Sequence, residues 1–210
     1  MLAAMSDEKS WDERYAGSDR VWSGRPNDAL VREVAGLTPG RALDLGCGEG
    51  GDAVWLARQG WTVTGVDLSG VAVARAAAHA AEAGVADRAV FTRCDLAESF
   101  PDGEYDLVSA QFLHSWGELP RERILRSAAA AVAPGGVLLI EGHLDHGPFR
   151  HEGHAAVRLP APDEVLADLR LEPGRWEILA RDVHPRRQTG PDGAEVTRSD
   201  ATVKVRRLPS

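Results

Sequence analysis

The chain has 210 residues, of which 43% are hydrophobic and 27% are charged, as is typical of one soluble globular domain spanning 1–210. Such a composition excludes a chain that is disordered throughout, and the length is sufficient for a large hydrophobic core. The formal net charge of −8 repels the phosphates of nucleic acid, so we expect a small-molecule partner and no nucleic acid.

The cellular location is predicted from features that the sequence lacks. Two cysteines, Cys47 and Cys94, are too few for a disulfide scaffold and are expected to be reduced thiols. No apolar run approaches the ~20 residues of a membrane span. Residues 1–9 lack the cationic and apolar stretches of a signal peptide. These features favour a cytoplasmic protein without a membrane partner, and its oligomeric state is left open.

Strands and helices alternate along most of the chain. Apolar runs rich in β-branched residues predict strands over 41–45, 61–66, 89–93, 105–112 and 137–140. Apolar periodicity and capping residues predict helices over 10–15, from Asn27 to about Gly36, and over 52–59, 71–83, 120–132 and 162–169. A closing strand pair, 176–183 and 201–207, is predicted with 186–200 as its connection. This order is typical of a doubly wound α/β sheet.

Three glycines at alternate positions, Gly46, Gly48 and Gly50, follow the first predicted strand and precede a helix. Glycine permits sharp turns and the close approach of a ligand to the backbone. The spacing differs from the G-x-G-x-x-G of dinucleotide-binding loops, and Asp44 precedes the first glycine. An acid at this place suits an amino-bearing ligand better than a phosphate. A purely structural turn is the alternative interpretation.

Two further acids follow the next two predicted strands. Asp67 is placed to accept hydrogen bonds from a ribose diol, as acids at the end of a second strand do. Asp95 is placed to accept a hydrogen bond from an adenine amino group. For each, helix capping or simple surface exposure is the alternative. Because the carboxyl ends of parallel strands meet at one edge of a sheet, these acids and the glycines together predict a nucleoside site there.

Five segments make the chain resemble a known family: 43–50, 65–69, 94–96, 105–108 and 134–138. They resemble the class I S-adenosylmethionine-dependent methyltransferases, and the stretches 11–15 and 22–27 are similar to small bacterial members of the tellurite-resistance type. The resemblance implies a Rossmann-like, seven-stranded mixed sheet with helices on both faces and with an antiparallel last strand. It also implies S-adenosylmethionine as cofactor, and methyl transfer to sulfur, oxygen, nitrogen or a chalcogen of a small acceptor.

Roles in donor binding follow from the same resemblance. The glycines pack against the methionine part and the ribose, Leu68 lies on the adenine, Leu96 offers its backbone N–H, and Gln111 lines the methionine side. Residues 1–36 form N-terminal cap helices whose aromatic side chains either face the sulfonium or pack as core. Arg25 pairs with the donor carboxylate or is a plain surface arginine. The predicted cofactor-binding set is Tyr15, Arg25, Asp44, Gly46, Gly48, Gly50, Asp67, Leu68, Asp95, Leu96 and Gln111.

Two histidines are candidate catalytic bases, His114 after the fourth predicted strand and His143 after the fifth. A base is required only when the acceptor is protonated at neutral pH, and each histidine has the alternative of a polar residue without a catalytic role. Segment 143–162 is expected to be an acceptor-side loop; its histidines show no familiar metal-binding spacing, so no metal is predicted. The basic residues of 181–210 indicate either an anionic acceptor or charges that guard a sheet edge.

The favoured interpretation is an S-adenosylmethionine-dependent methyltransferase, EC 2.1.1.-, that acts on a small molecule. A protein that binds S-adenosylmethionine without transferring its methyl group would carry the same motifs. Turnover with a panel of thiols, phenols and amines separates the two. A nicotinamide-dependent oxidoreductase is disfavoured by the glycine spacing, and saturable NADH binding would revive it.

Overall fold

The computed structural model describes residues 7–115, 119–145, 158–190 and 193–209. The helices formed by these residues are α1 Asp7–Ala16, α2 Asp28–Val34, α3 Gly51–Arg58, α4 Gly70–Glu82, α5 Arg121–Ala130 and α6 Pro162–Leu169. The strands are β1 Arg41–Leu45, β2 Thr62–Asp67, β3 Ala89–Arg93, β4 Tyr105–Gln111, β5 Val132–His143, β6 Trp176–Thr189 and β7 Glu195–Arg207. Each predicted helix and strand has a counterpart here, with differences at some of the ends.

The described strands belong to one sheet, in the order β3-β2-β1-β4-β5-β7-β6. Strands β1 to β5 pair in parallel, whereas β7 runs antiparallel between β5 and β6. The strand order reverses between β1 and β4, which is where ligands bind in open α/β sheets. The expected seven-stranded mixed sheet is therefore confirmed.

Helices cover both faces of the sheet because successive strand side chains point to opposite sides. On one face, Ala42 of β1 belongs to the same buried cluster as Leu30 of α2 and Leu56 of α3. On the other face, Leu43 belongs to a cluster that includes Leu125 of α5 and residues of α6. Both faces of the central strands are thus filled with apolar side chains, and polar chemistry is left to the strand ends.

The prediction for the C-terminal strand pair is wrong in one respect. Residues 186–189 and 195–200, expected to be part of the connection, instead lengthen the two strands, and the pairing of β6 with β7 continues to Thr189 and Glu195. Strand β5 pairs with β7 only as far as His143 and Asp200, so the outer part of the hairpin extends beyond the sheet. The side chains that this part buries are polar, Arg198 and Asp200 being 7% and 0% exposed, so its sequence lacks the apolar alternation by which strands are recognised.

Strand β5 also begins earlier than predicted, at Val132 rather than at 137. The register against β4 shifts between Tyr105 and Leu107, and the turn predicted at 134–136 lies at this irregularity within β5.

Within the part of the chain that the structure describes, no helix is long and apolar enough to cross a membrane. The single domain spanning 1–210 stays a prediction.

Candidate active site

The carboxyl ends of the first three strands are tied together by backbone hydrogen bonds. The N–H groups of Gly46 and Cys47 both donate to the carbonyl of Val66, at 2.8 and 3.0 Å. The N–H of Cys94 donates to the carbonyl of Asp67, at 2.9 Å. The glycine loop and the predicted acids therefore border one another at the same edge of the sheet.

The glycine loop has a backbone that only glycine adopts without strain. Gly48 has φ +52, and a Cβ added there would lie 3.0 Å from Oη of Tyr15. Gly46 has φ +69, and its added Cβ would lie 2.9 Å from Cδ1 of Leu113. Side chains from two other segments thus cover bare backbone, and a ligand in this place would contact peptide groups directly.

Asp67 organises the loop with both carboxylate oxygens. Oδ2 accepts a hydrogen bond from the N–H of Gly48, and Oδ1 accepts one from the N–H of Ser69, each at 2.9 Å. Burial raises the pKa of Asp67, although these hydrogen bonds act in the opposite direction. Since each carboxylate oxygen has a second lone pair, the side chain retains capacity to accept from a diol.

Asp44 is a buried carboxylate with an unmatched oxygen. Its side chain is 2% exposed, and no described residue hydrogen-bonds to Oδ2. Burial, with the charges of Asp52 and Asp67, raises the pKa of Asp44 well above its usual value. Asp52 in turn holds the backbone N–H and the side-chain amide of Asn27, each at 2.7 Å. An ammonium group beside Asp44 would donate a hydrogen bond to this oxygen and would place a positive charge next to the buried carboxylate. The site therefore fits a ligand that carries an amino group.

The N-terminal segment lies over the glycine loop. Tyr15 is 3% exposed, and its hydroxyl accepts a hydrogen bond from Nε1 of Trp22 at 3.0 Å. Burial raises the pKa of Tyr15, so the phenol stays protonated. Glu49, inside the loop, accepts from the N–H groups of Val21 and Trp22 at 3.0 and 2.9 Å. Its ion pair with Arg75 spans 2.9 Å. The aromatic side chains of the N-terminal segment are therefore held over the glycine loop by hydrogen bonds to Glu49, a residue of that loop.

Other predicted donor-binding residues have less distinctive surroundings. Asp95 is exposed and caps a turn by accepting a hydrogen bond from the N–H of Ala97 at 2.8 Å, which favours the capping alternative. Leu68 and Leu96 are half-buried at the same edge, and Arg25 is exposed with its backbone against Gly51. Their roles toward a nucleoside stay predictions.

Two residues, the last of β4 and the one after it, continue the site beyond the glycine loop. Gln111 is 8% exposed; its Nε2 donates to Oγ of Ser109 at 3.1 Å, and its Oε1 has no partner among the described residues. Phe112 follows with φ +52, a left-handed conformation that is rare for a bulky residue and is typical of strained functional sites. Its ring centroid lies 4.5 Å from that of His143.

His143 is oriented by a buried acid that the sequence did not indicate. Its Nδ1 lies 2.8 Å from Oδ1 of Asp200, whose side chain is 1% exposed, and a fifth of the His143 side chain is exposed. Nε of Arg186 lies 2.8 Å from the other oxygen of Asp200. Burial lowers the pKa of His143, although the hydrogen bond to Asp200 opposes this. The imidazole is therefore neutral at pH 7, with its proton on Nδ1 and a lone pair on Nε2.

His114 has different surroundings. Burial, with the charge of Arg121 next in importance, lowers the pKa of His114 to about 3. Its Nε2 accepts a hydrogen bond from the N–H of His143 at 3.3 Å, and the two rings stack at 5.5 Å. The proton of the neutral ring is therefore on Nδ1, and the Nε2 lone pair is already used by the N–H of His143, so His114 has no free lone pair with which to act as a general base. The structure thus distinguishes two histidines that the sequence could not.

Sequence reasoning missed Asp200, Arg186 and Glu49. Asp200 and Arg186 meet His143 only because β7 pairs with both β5 and β6, and no local pattern signals such a contact. Glu49 lies inside the recognised loop, but its acceptor role depends on the path of the N-terminal segment. Trp22 belongs to the stretch 22–27 that resembles the family, and this resemblance could have indicated its contact with Tyr15.

The charges of 181–210 mostly form ion pairs within the fold. The pairs are Arg181 with Asp163, Arg186 with Asp200, Arg198 with Asp145, Lys204 with Glu33, Arg206 with Glu177, and Arg207 with Glu104. This pattern favours the structural interpretation over a site for an anionic acceptor.

His146, His151 and His154 of the predicted loop lie outside the described residues. Among the described ones, no group of His, Cys, Asp or Glu is arranged to hold a metal ion.

Comparison with known proteins agrees with this geometry. Residues 42–136 match a family model described as a methyltransferase domain. The chain is 33% identical over 195 residues to the 27-O-demethylrifamycin SV methyltransferase of Amycolatopsis mediterranei, a match that covers 83% of this chain and 69% of that protein. It spans only 36% to 52% of the length of other curated methyltransferases that it resembles.

Solved structures share the whole architecture. One belongs to a study of the conversion of a disulfide bond into a thioacetal group during echinomycin biosynthesis. It is 28% identical with a TM-score of 0.73, and the match covers 96% of this chain and 93% of that one. TehB from Haemophilus influenzae has the same fold at 17% identity and a TM-score of 0.67, over 96% of this chain and 67% of that one.

Proposed function

The chain belongs to the class I S-adenosylmethionine-dependent methyltransferases, and on this premise we propose that it methylates a hydroxyl group of a small-molecule acceptor with His143 as general base. The observation that carries this proposal is the 2.8 Å contact between Nδ1 of His143 and the buried Asp200. A neutral imidazole oriented by a carboxylate is suited to accept a proton. The name of the rifamycin relative, an O-methyltransferase, supports a hydroxyl acceptor.

Donor binding is assigned to the glycine loop and its acids. When bound, S-adenosylmethionine supplies an activated methyl group on a sulfonium that is its own leaving group. Asp44, with its unmatched buried oxygen, would hold the donor's amino group, and Asp67 would accept from its ribose hydroxyls. Tyr15 would close the cavity over Gly48 and exclude water. Arg25, Leu68, Asp95, Leu96 and Gln111 complete the proposed set.

His143 would act on the acceptor rather than on the donor. Its Nδ1–H donates to Asp200, so the Nε2 lone pair is left to accept the hydroxyl proton as the oxygen attacks the methyl carbon. The ion pair with Arg186 holds Asp200 in place. In-line transfer depends mainly on alignment of the two reactants, and the rigid strand ends of β4 and β5 supply it.

A sulfur acceptor is the second candidate. Its support is the 28% identical structure studied in connection with a thioacetal. A thiolate needs no base, so this candidate assigns His143 a positioning role instead of proton transfer. Family membership removes the support from a nicotinamide oxidoreductase. The free thiols of Cys47 and Cys94 agree with a cytoplasmic location, which we retain as part of the proposal.

The proposal is tested by incubating the protein with S-adenosylmethionine and matched panels of phenols, aliphatic alcohols, thiols and amines, and by measuring S-adenosylhomocysteine. We expect turnover with hydroxyl acceptors that His143→Ala lowers by ~10²–10⁴-fold while the affinity for S-adenosylhomocysteine is kept. Turnover restricted to thiols, at the same rate in His143→Ala, would replace the hydroxyl proposal with the sulfur one. Donor binding without turnover across all panels would contradict both.

A further inference from the structure

Arg121, the first residue of α5, is a half-buried cation, and the nearby carboxylates of Glu122 and Asp168 form their ion pairs with Arg158 instead. None of the described residues forms a hydrogen bond or ion pair with its side chain, and its Nε is buried and unmatched. Burial lowers the pKa of Arg121. An unpaired buried charge is costly, and proteins keep one mainly where it has a ligand.

A second unmatched donor belongs to the neighbouring side chain of His114. The proton of His114 is on Nδ1, because Nε2 accepts from the N–H of His143, and Nδ1 is buried with no partner in the described chain. The two side chains meet at Gly142. A Cβ added to Gly142 would lie 3.7 Å from both the Arg121 guanidinium and the His114 ring. The atoms that meet there are Nη2 of Arg121 and Cε1 and Nε2 of His114, so the two side chains are adjacent. Each of them carries one buried N–H, at Nε of Arg121 and at Nδ1 of His114, without a partner among the described residues.

A small cavity opens at this point. It measures about 10 Å³ and is lined by His114, Arg121, Gly142 and His143, with apolar walls from Ile140 and Val165. That volume admits one oxygen-sized group. The start of α5 adds the positive end of a helix dipole to the guanidinium. The cavity therefore suits an anionic oxygen, and His143 forms part of its wall.

We propose that Arg121 and His114 bind a carboxylate on the methyl acceptor, so that the preferred substrates are small hydroxy acids. This inference rests on the proposed function, because it places the carboxylate beside His143. The basic residues of 181–210, the anion site that the sequence suggested, are mostly neutralised by ion pairs, whereas Arg121 is not. The charge that selects the acceptor thus comes from α5 and not from the C-terminal hairpin.

The test compares benzoate with its neutral isostere benzamide, each titrated by ligand-observed NMR into protein saturated with S-adenosylhomocysteine. We expect benzoate to bind about tenfold or more tightly than benzamide, as charge-assisted hydrogen bonds from arginine predict. Arg121→Gln should bring the ratio close to one. Arg123→Gln is the matched control, because Arg123 lies on the same helix, is exposed, and donates to the carbonyl of Ala97.

Equal affinities in the wild-type protein, or no binding of benzoate, would overturn the proposal. So would a preference that persists in Arg121→Gln. Arg121→Met provides a second variant: removal of an unpaired buried cation should leave the melting temperature unchanged or higher, and benzoate should no longer raise it. Binding of S-adenosylhomocysteine by each variant verifies folding. Failure of the wild type to bind S-adenosylhomocysteine would instead contradict the proposed function.

Discussion

Replacing Asp200 by asparagine tests whether His143 works as a base. Asp200 is buried between Nδ1 of His143 and Nε of Arg186, each at 2.8 Å. Asparagine keeps the shape of the side chain but loses its charge. Its amide can also turn its N–H toward the ring and favour the other tautomer. Alanine is the poorer choice, because the loss of one partner from a buried pair lowers the free energy of unfolding by ~3–5 kcal/mol.

General-base catalysis contributes ~10²–10⁴-fold to a rate, so Asp200→Asn should lower kcat by about that factor. This corresponds to ~3–5 kcal/mol of transition-state stabilisation at 1.36 kcal/mol per decade. The affinity for S-adenosylhomocysteine should not change, because Asp200 touches no part of the glycine loop. The effects of residues that act as one unit on kcat are not additive. The kcat of His143→Ala and of the double variant should therefore be about the same as that of Asp200→Asn.

The assay is the single-turnover formation of S-adenosylhomocysteine with the best hydroxyl acceptor, followed from pH 5 to 9. Burial lowers the pKa of His143, and the neutral ring is the active form. The wild-type rate should therefore be level at pH 7 and above, and fall only as the pH drops through a value below 6.5. Asp163→Asn, which removes an exposed partner of Arg181, is the control. A wild-type rate and pH profile in Asp200→Asn would refute the reasoning.

Three further outcomes are expected. Asp67→Ala should weaken S-adenosylhomocysteine binding by ~1–3 kcal/mol in calorimetry, and an unchanged affinity would remove Asp67 from the site. Gly48→Ala should lower both stability and donor affinity by ~1–2 kcal/mol, since φ is +52 and the methyl would press on Tyr15; wild-type values would contradict this. Burial raises the pKa of Glu141 from 4.5 to about 6. Between these pH values the folded protein binds a proton at Glu141 more readily than the unfolded chain does, so the free energy of unfolding falls as the pH rises through this range. Glu141→Gln should flatten this dependence in urea denaturation and stabilise the protein by ~1–2 kcal/mol at pH 7; an unchanged slope would count against it.

The donor side of the site was largely predictable from local sequence. The backbone of the loop has a positive φ at Gly46, Gly48 and Gly50, which are alternate positions of the sequence. A short stretch of sequence is therefore enough to predict the loop. Asp44 and Asp67 end strands that are recognisable by their own apolar runs. Since parallel strands place their carboxyl ends together, the meeting of these groups followed from fold class alone.

The acceptor side was not predictable in the same way. Both histidines follow strands, and only the pairing of β5 with β7 brings Asp200 to His143 and not to His114. The long C-terminal hairpin escaped prediction because strands are recognised by alternating apolar residues, whereas the face that its outer part buries carries the polar side chains of Arg198 and Asp200. The unmatched guanidinium of Arg121 depends on which charges the fold leaves without a partner.

The sequence by itself determined the order of strands and helices, the class of fold and the loop that the methyl donor requires. Propensity, glycine conformation and capping act over a few neighbouring residues, so a linear pattern records them. The tertiary structure alone decided which histidine is oriented by a carboxylate, which arginine stays unpaired and how the N-terminal aromatics cover the loop. Those outcomes depend on burial and on contacts between residues far apart in the chain, where desolvation and charge pairing fix protonation and leave specific donors unsatisfied.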